Sequence, residues 1–489
     1  RSRICMRQVY SAESDQQATG GIMSREVDVA ILGSGSAGLN ALGQVKKAGK
    51  SFVMINGGEF GTTCARVGCM PSKALIQIAE DFHRRGLFKR HAIAGGDTLT
   101  LDREAAMEHV RELRDTFVDR VTSNSTDKMP QQVLIHGYAR FLDRHTLEVN
   151  GETVKAGKIV IATGSRPIVP AAWEAFADKV ITTDEFFELE HLPESAAVVG
   201  LGVIGLEIGQ ALARMGVAVT GIELSDTVSG IQDPVLQQVA IDVIGKEFPL
   251  WFGKPAELRA EGSQVRVTAG EHSVLVDKVI ATLGRTPNVA DLNLAAIGID
   301  CDEHGVPRFN ANTMQIGESP LFIAGDVNNR RPILHEAGDD GKIAGYNAAR
   351  DTVTAFRRKT PLAITFCDPG IASIGASWNE LDPARTAVGE MKMAPVGRAL
   401  IMAKNKGTIR IYADKATGVI LGAALMAPKA ENLAHLICWA IEKQQTVFDL
   451  LRMPFYHPVI EEALQAALYD LKDKVEAEPP AGLLELAML

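Results

Sequence analysis

Two cysteines five positions apart are the residues best suited to redox chemistry in this chain. Cys64 and Cys69 precede helix-forming sequence, with Pro71 in the expected first turn. In a regular helix, residues five apart rise about 7.5 Å, which exceeds the roughly 7 Å Cα separation that a disulfide tolerates. A bridge between the two cysteines therefore requires a distorted turn, which Gly68 permits.

The position of Cys69 favours a reactive thiolate. At the start of a helix it feels the helix dipole, and Lys73 adds positive charge one turn later. Such a sulfur attacks other sulfurs or donates electrons. The alternative is a pair of buried structural cysteines, and this is the stronger interpretation for the cysteines that lack such surroundings: Cys5, Cys301, Cys367 and Cys438.

Two glycine-rich turns predict two dinucleotide sites. Residues 33–38 follow one apolar run and residues 200–205 follow another, and each turn precedes helix-like sequence. In such a turn the first glycine permits the bend, the second lets the backbone approach a pyrophosphate, and the third lets helix and strand pack closely. One turn alone often only ends a strand, but two in this setting favour two βαβ nucleotide folds.

The residue that ends the second strand of each unit indicates the nucleotide. Glu223 in the later unit accepts hydrogen bonds from a ribose 2′-hydroxyl and repels a 2′-phosphate, and no nearby arginine compensates, which favours NAD over NADP. A solvated strand-end acid is the alternative. Asn56 has the same offset in the first unit, where a neutral amide bonds ribose hydroxyls less strongly than an acid.

Bulk composition restricts the function. A chain of 489 residues with 46% hydrophobic residues supports about two to four domains. The net charge of −9 argues against nucleic acid or anionic membrane as partners, and no apolar run is long enough to span a bilayer. Six sparse cysteines favour a reducing compartment, so we expect a cytoplasmic protein. We predict no metal site, and we expect residues 1–22 to be a tail.

A histidine near the carboxyl end could act as a base. His457 precedes Pro458, and acids follow, including Glu462. An imidazole held by a carboxylate can take a thiol proton near neutral pH. From spacing alone, however, a histidine at an interface or a helix cap is the better interpretation.

Together these features resemble the pyridine-nucleotide disulfide oxidoreductases, and within them most closely the dihydrolipoamide dehydrogenases, over about residues 24–470. The most specific elements are residues 63–73, the two glycine turns, Gly325-Asp326, and His457-Pro458 with Glu462. By this resemblance the chain is a homodimer that uses FAD and NAD.

The resemblance implies a role for each catalytic residue. Cys64 is the interchange thiol that meets substrate, and Cys69 is the thiolate beside the flavin. Lys73 lies by the flavin ring and pairs with Glu207. The catalytic pair of the partner subunit completes the site, with the imidazole as base and the carboxylate as its orienting acid: His457 and Glu462.

It also implies which residues hold the cofactors. Those expected to bind FAD are Gly33, Gly35, Ser36, Ala37, Gly38, Asn56, Thr63, Lys73, Ala139, Thr163, Gly164, Ser165, Asp326, Leu334 and His335. Those expected at the NAD side are Gly200, Gly202, Val203, Ile204, Gly205, Glu207, Glu223 and Gly284.

The predicted fold is α/β, with two Rossmann-like dinucleotide-binding domains, for FAD and NAD, and a carboxy-terminal α+β dimerisation domain. Glycine-proline breaks near residues 163–167 and 284–288 indicate domain crossings. The apolar run that ends in Gly325-Asp326 suggests that the chain returns to the first sheet. The resulting order is a FAD-binding part (23–165), the NAD-binding domain (166–288), a central part that completes the FAD domain (289–354), the dimerisation domain (355–470) and a tail (471–489).

Three departures from the family pattern bear on the substrate: Asn56, Val459 after His-Pro, and Ala65-Arg66 between the cysteines. The resemblance implies oxidation of a lipoyl-bearing protein or a small dithiol with NAD. An NAD(P)H-dependent reductase of another disulfide or a quinone is an alternative, as is a structural or redox-sensing flavoprotein subunit of a larger complex.

Overall fold

A computed structural model describes residues 24–486 and residue 488. The expected tail at residues 1–22 lies outside this part of the chain. The fold contains three larger sheets with helices packed on them, and two smaller sheets. Their arrangement determines which chain segments meet around the cysteine pair.

The first domain is built on a parallel sheet. β1 pairs in parallel with β2 and β6, β2 with β3, and β6 with β17, while β4 and β5 extend β6 in antiparallel fashion. The inner strand β1 is apolar because both of its faces are covered; Val29, Ala30 and Ile31 are fully buried. Its elements are β1 (Ser24–Leu32), α1 (Ser36–Lys47), β2 (Phe52–Asn56), α2 (Thr63–Val67), α3 (Cys69–His83), α4 (Arg103–Ser123), β3 (Leu134–His136), β4 (Ala139–Phe141), β5 (Thr146–Val149), β6 (Glu152–Ile161), β17 (Leu321–Ile323) and α8 (Leu334–Ala348).

The second domain repeats the pattern. Its parallel sheet has the order β11-β10-β9-β15-β8, and the antiparallel strands β12, β13 and β14 cover one face. The apolar positions of the covering strands, such as Val265 and Val267, pack against the sheet. Its elements are β8 (Val180–Ile181), α5 (Thr183–Phe186), β9 (Ser195–Val199), α6 (Val203–Arg214), β10 (Ala218–Glu223), α7 (Pro234–Ile244), β11 (Leu250–Phe252), β12 (Glu257–Glu261), β13 (Gln264–Ala269), β14 (His272–Val276) and β15 (Lys278–Ala281).

The chain crosses between these domains twice, at strands that pair with each other. β7 (Ser165–Pro167) leaves the first domain, β16 (Arg285–Pro287) returns to it, and the two are antiparallel. The return strand β17 then joins β6, so the chain comes back to the first sheet. α8 packs directly on α1, where a Cβ on Gly341 would lie only 2.1 Å from the carbonyl oxygen of Ala37.

The third domain is an antiparallel sheet with helices on one face. The strand order is β18-β19-β22-β21-β20, and α10, α11 and α12 bury their apolar sides on its core. This arrangement confirms the predicted α/β class with two Rossmann-like domains and an α+β domain. The elements are β18 (Leu362–Thr365), β19 (Gly370–Gly375), β20 (Thr386–Lys392), α9 (Gly397–Ile401), β21 (Thr408–Asp414), β22 (Ile420–Ala427), α10 (Ala430–Glu442), α11 (Val447–Leu451) and α12 (Glu462–Lys472).

The described residues after α12 lie on the third domain. Residues 471–489 were expected to form a separate tail; α12 runs to Lys472, and residues 473–486 fold back onto the third domain. The Glu476 amide donates to the carbonyl of Lys415, Tyr469 donates to Glu485, and Leu484 packs on the core. Its apolar and polar contacts make this segment part of the domain surface.

Candidate active site

The two cysteines lie on different helices that meet at Gly68. Cys64 is in the short helix α2 and Cys69 begins α3, so the turn between them is broken rather than helical. A Cβ on Gly68 would lie 3.0 Å from the carbonyl oxygen of Thr63 and 3.3 Å from the Cα of Cys64. The absence of that atom lets the ends of the two helices approach. Both cysteines are half-buried free thiols.

The two thiols interact, and their pKa values shift in opposite directions. Interaction with the Cys64 thiol lowers the pKa of Cys69 to about 7, with the charge of Lys73 acting in the same direction against burial. Interaction with Cys69 and burial raise the pKa of Cys64 well above its usual value. The arrangement therefore stores negative charge on Cys69 and a proton on Cys64.

Lys73 forms an ion pair that joins the two nucleotide domains. Its Nζ lies 2.7 Å from Oε2 of Glu207, which α6 presents and which is only 3% exposed. The other carboxylate oxygen accepts the amide of Phe366 at 2.8 Å, and the ring of Phe366 lies 4.7 Å from the same Nζ. Burial of this carboxylate is thus compensated by two donors from two different domains.

The first glycine turn has the shape that a dinucleotide needs. Gly33 has φ +106°, and a Cβ there would lie 2.2 Å from the carbonyl oxygen of Ala162. A Cβ on Gly38 would lie 2.0 Å from the carbonyl oxygen of Gly33, whereas one on Gly35 would meet nothing within 4 Å. The space that a side chain would need at the first and third glycines is therefore occupied by backbone atoms. The second glycine leaves the amino end of α1 open to a phosphate. Ser36 and Ala37 begin that helix.

The second turn is built in the same way. A Cβ on Gly200 or Gly205 would lie within 2.4 Å of a backbone oxygen, and one on Gly202 would meet nothing within 4 Å. Val203 and Ile204 begin α6 behind it and are partly exposed. These open second positions show that the residues present fit two dinucleotides.

The strand-end residues hold the two turns by equivalent hydrogen bonds. Oε2 of Glu223 accepts the amide of Leu201 at 2.6 Å, and Oδ1 of Asn56 accepts the amide of Ser34 at 3.1 Å. The amide nitrogen of Asn56 also donates to Gly58. Asn56 therefore supports its turn as Glu223 does, but it brings no charge to a ribose.

The crossing strands bring further expected FAD residues together. Ser165 donates to Oδ2 of Asp326 at 3.2 Å. Burial raises the pKa of Asp326, and the nearby charge of Arg285 opposes that shift. Thr163 donates to the carbonyl of Asn288, whose side chain donates back to the carbonyl of Thr163. Gly164 has φ +69° in this turn.

Arg285 and Asn288 were not predicted from the sequence as site residues. Arg285 donates through Nε to Oγ of Ser165 at 2.8 Å and through Nη2 to its carbonyl at 2.6 Å. Asp340 on α8 similarly accepts the Gly325 amide and so fixes the turn before Asp326. A sequence signal was present, because the breaks at 163–167 and 284–288 both contain Gly, Thr, Arg and Pro, and the structure pairs their strands.

The remaining expected cofactor residues lie at the edges of these elements. Thr63 is exposed and begins α2, Ala139 is half-buried and begins β4, and Gly284 precedes β16 with φ +100°. Leu334 and His335 are exposed in the first turn of α8. Their contacts with cofactors stay predictions.

His457 and Glu462 form the expected pair on the third domain. Nδ1 of His457 lies 2.8 Å from Oε1 of Glu462, whose other oxygen accepts the amide of Val459 at 3.0 Å. The hydrogen bond with His457 is the main cause of the lowered pKa of Glu462. The imidazole is 80% exposed, so it is not packed against the half-buried thiols of its own chain.

The geometry agrees with what the chain is similar to. A family model described as pyridine nucleotide-disulphide oxidoreductase matches residues 27–341, and one for the dimerisation domain of that family matches residues 362–468. The chain belongs to the pyridine nucleotide-disulphide oxidoreductases. It is a flavoprotein disulfide oxidoreductase, and its cofactors are FAD and NAD(H).

Its relatives include dihydrolipoyl dehydrogenases. The protein of that name from Thermus scotoductus is 29% identical over 454 residues, covering 90% of this chain and 96% of the relative. The mitochondrial dihydrolipoyl dehydrogenase of Pisum sativum is 27% identical and covers 96% and 95%. The family model fixes the family, and these identities leave the substrate to be argued from the site.

Solved structures share the fold. The HOCl-induced flavoprotein disulfide reductase RclA from Escherichia coli superposes with a TM-score of 0.78 at 22% identity, covering 92% of this chain and all of that chain. LpdA from Mycobacterium tuberculosis gives 0.79 at 22% identity, covering 91% and 99%.

In the described part of the chain, every helix is too short or too polar to cross a membrane. Among the same residues, no three His, Cys, Asp or Glu side chains cluster in a way that could hold a metal ion.

Proposed function

We propose that the chain is a dihydrolipoyl dehydrogenase, which oxidises protein-bound dihydrolipoamide with NAD through a Cys64–Cys69 disulfide. The observation that carries this proposal is the placement of Cys64 on α2 and Cys69 at the start of α3, brought together at Gly68 beside the ion pair of Lys73 and Glu207. The interaction of the two thiols raises the pKa of Cys64 and lowers that of Cys69 to about 7, which gives one protonated sulfur and one thiolate. These are the properties of an interchange thiol and a leaving thiolate.

The proposed cycle begins with a proton transfer. His457 of the partner subunit, oriented by the carboxylate that binds its Nδ1, takes a proton from the substrate dithiol. The resulting thiolate attacks Sγ of Cys64, and the Cys64–Cys69 bond breaks. Cys69 leaves as the thiolate because its pKa is the lower of the two.

The second substrate thiol then attacks the mixed disulfide and releases the cyclic disulfide. The substrate has lost two electrons and two protons; one proton is on His457 and the other on Cys64, while Cys69 holds the negative charge. FAD held at the turn of Gly33, Gly35 and Gly38 would supply the two-electron chemistry between the reduced cysteines and NAD. The open positions at Gly35 and Gly202 support the two nucleotide sites that this requires.

The proposal includes a homodimer with a composite site. The chain carries the dimerisation domain of its family. Because His457 is 80% exposed in its own chain, its acid–base role is best served in the site of a second copy. We also propose a cytoplasmic location, since six cysteines in 489 residues suit a reducing compartment.

An assay of NAD reduction tests the substrate. Dihydrolipoamide is compared with glutathione, a trypanothione-like dithiol and hydroquinones, using the native chain, Cys64→Ser and Cys301→Ser. We expect turnover with dihydrolipoamide, lost by more than about a thousandfold in Cys64→Ser. The exposed Cys301 serves as the control, and its substitution should change little. Faster turnover of another donor would contradict the substrate, and activity in Cys64→Ser would contradict the chemistry.

A further inference from the structure

Thr62, next to the redox helix, has an unusual backbone conformation. Its φ is +66° and its ψ is 147°, a region that is almost reserved for glycine. A β-branched residue is especially disfavoured there, because its side chain crowds the backbone. Such a conformation persists only when the surrounding contacts enforce it, and residues held in this way cluster at functional sites.

The same residue is the amino-terminal cap of α2. Its Oγ1 accepts the amide of Ala65 at 3.3 Å, and its carbonyl accepts the amide of Arg66 at 3.1 Å. The helix is only five residues long, and Cys64 is its second residue. So short a helix has little stability of its own, and these two bonds help to set the orientation of Cys64 together with the packing of Ala65 and Val67.

The segments on both sides of Thr62 are fixed by close approaches. Gly61 has φ +103°, and a Cβ there would lie 2.7 Å from Cγ1 of Val118 on α4. At the other end of α2, Gly68 lets the backbone of Thr63 and Cys64 approach the start of α3. Helix α2 is thus confined between α4 and α3, and Thr62 has to take the conformation that joins them.

We propose that Thr62 is a positioning residue for the redox thiols: its hydroxyl caps α2 and thereby holds the Cys64 thiol against Cys69. Glycine would adopt this backbone freely but could not supply the hydroxyl. The inference rests on the proposed function only in that the thiol pair is taken as the redox centre. The strained conformation is retained because capping requires a side-chain hydroxyl, which glycine lacks.

Three substitutions separate capping from backbone strain. Thr62→Gly relieves the backbone and removes the cap, Thr62→Ala removes only the cap, and Thr62→Ser keeps the hydroxyl. Thr446→Gly is the matched control, because Thr446 caps another five-residue helix, α11, at an ordinary φ of −86°. Each holoprotein is reduced, and the Cys69 thiolate is titrated by its ultraviolet absorbance against a Cys69→Ser reference in the same background.

We expect the thiolate midpoint to rise by about one pH unit in Thr62→Gly and Thr62→Ala, a roughly tenfold loss of thiolate below neutrality. Thr62→Ser and Thr446→Gly should titrate like the native chain. Thr62→Gly should also unfold at no lower temperature, so misfolding would not explain its shift.

The result that overturns the inference is a native midpoint in both Thr62→Gly and Thr62→Ala. A native chain that itself shows no Cys69 thiolate near neutral pH is a different failure, because it contradicts the proposed redox pair before Thr62 is considered.

Discussion

Interaction with Cys64 and the charge of Lys73 give Cys69 the lower pKa of the two thiols. The pKa of Cys69 is lowered from 9.0 to about 7. The contribution of this group to folding stability is therefore fully present above pH 9 and is lost as the pH falls through 7. We predict that thiolate absorbance of the reduced protein develops with a midpoint near pH 7 and is absent in Cys69→Ser. A midpoint near the ordinary thiol value would contradict this interaction.

We predict that Arg66 acts on the substrate rather than on the redox step. It is half-buried on α2 between the cysteines, and within the described residues no carboxylate forms an ion pair with it. We predict that Arg66→Asn lowers kcat/KM for anionic dihydrolipoate relative to neutral dihydrolipoamide by about fivefold, the value of one solvent-screened charge contact. Arg66→Lys should keep most of the ratio. If Arg66→Asn leaves the ratio unchanged, the cation does not face the substrate.

At the scale of elements, helix α1 shows why its glycines are not equivalent. A Cβ on Gly38 would lie 2.0 Å from the carbonyl oxygen of Gly33, whereas one on Gly43 of the same helix would meet nothing within 4 Å. We predict that Gly38→Ala displaces the turn and is purified with little FAD. Gly43→Ala should keep its FAD and gain about 0.5–1 kcal/mol of stability. Flavin content and thermal unfolding test these two expectations. A Gly38→Ala variant with full FAD would show that the close approach of Gly38 to Gly33 is not needed for FAD binding.

The nucleotide elements could be predicted because their signals are local. Each βαβ unit combines an apolar strand, a glycine turn and a helix within a short stretch, and the run ending at Gly325 indicated the return strand. The pairing of Lys73 with Glu207 came instead from the family resemblance, because no local pattern joins residues so distant in sequence.

Other features depend on tertiary contacts and were missed. Arg285 acts across paired crossing strands, and its partner Ser165 is far away in sequence. The conformation of Thr62 is imposed by α4 and α3, whereas threonine itself disfavours it. Residues 471–489 were predicted to be a tail beyond the family resemblance, which ends near residue 470, yet Glu476 and Glu485 find partners on the third domain.

At the scale of the whole molecule, a buried network joins the second and third domains. Asp233 caps α7 and accepts hydrogen bonds from Arg410 at 2.7 Å and Tyr412 at 2.5 Å across the boundary. Its side chain is fully buried, so these donors compensate its charge. This contact and the pairing of Lys73 with Glu207 join the second domain to both neighbouring domains.

Mixed dimers test whether the site is composite. We predict that Cys64→Ser and His457→Ala homodimers are each inactive, but that dissociating and reassociating them together restores activity. Half of the mixed population would be heterodimers with one intact site, which gives about a quarter of native activity. Self-mixed samples of each variant are the controls. Without restoration, the base would have to come from the same chain as the thiols.

Anaerobic titration of the purified flavoprotein with NADH tests most directly whether the Cys64–Cys69 pair exchanges electrons with the flavin. We predict that the native protein consumes about two equivalents per subunit, one for the disulfide and one for the flavin, with long-wavelength absorbance after the first. Cys69→Ser should consume about one equivalent and show no such absorbance. A native protein that takes up a single equivalent of NADH and loses its flavin absorbance directly, as expected for the variant, would contradict a redox-active cysteine pair.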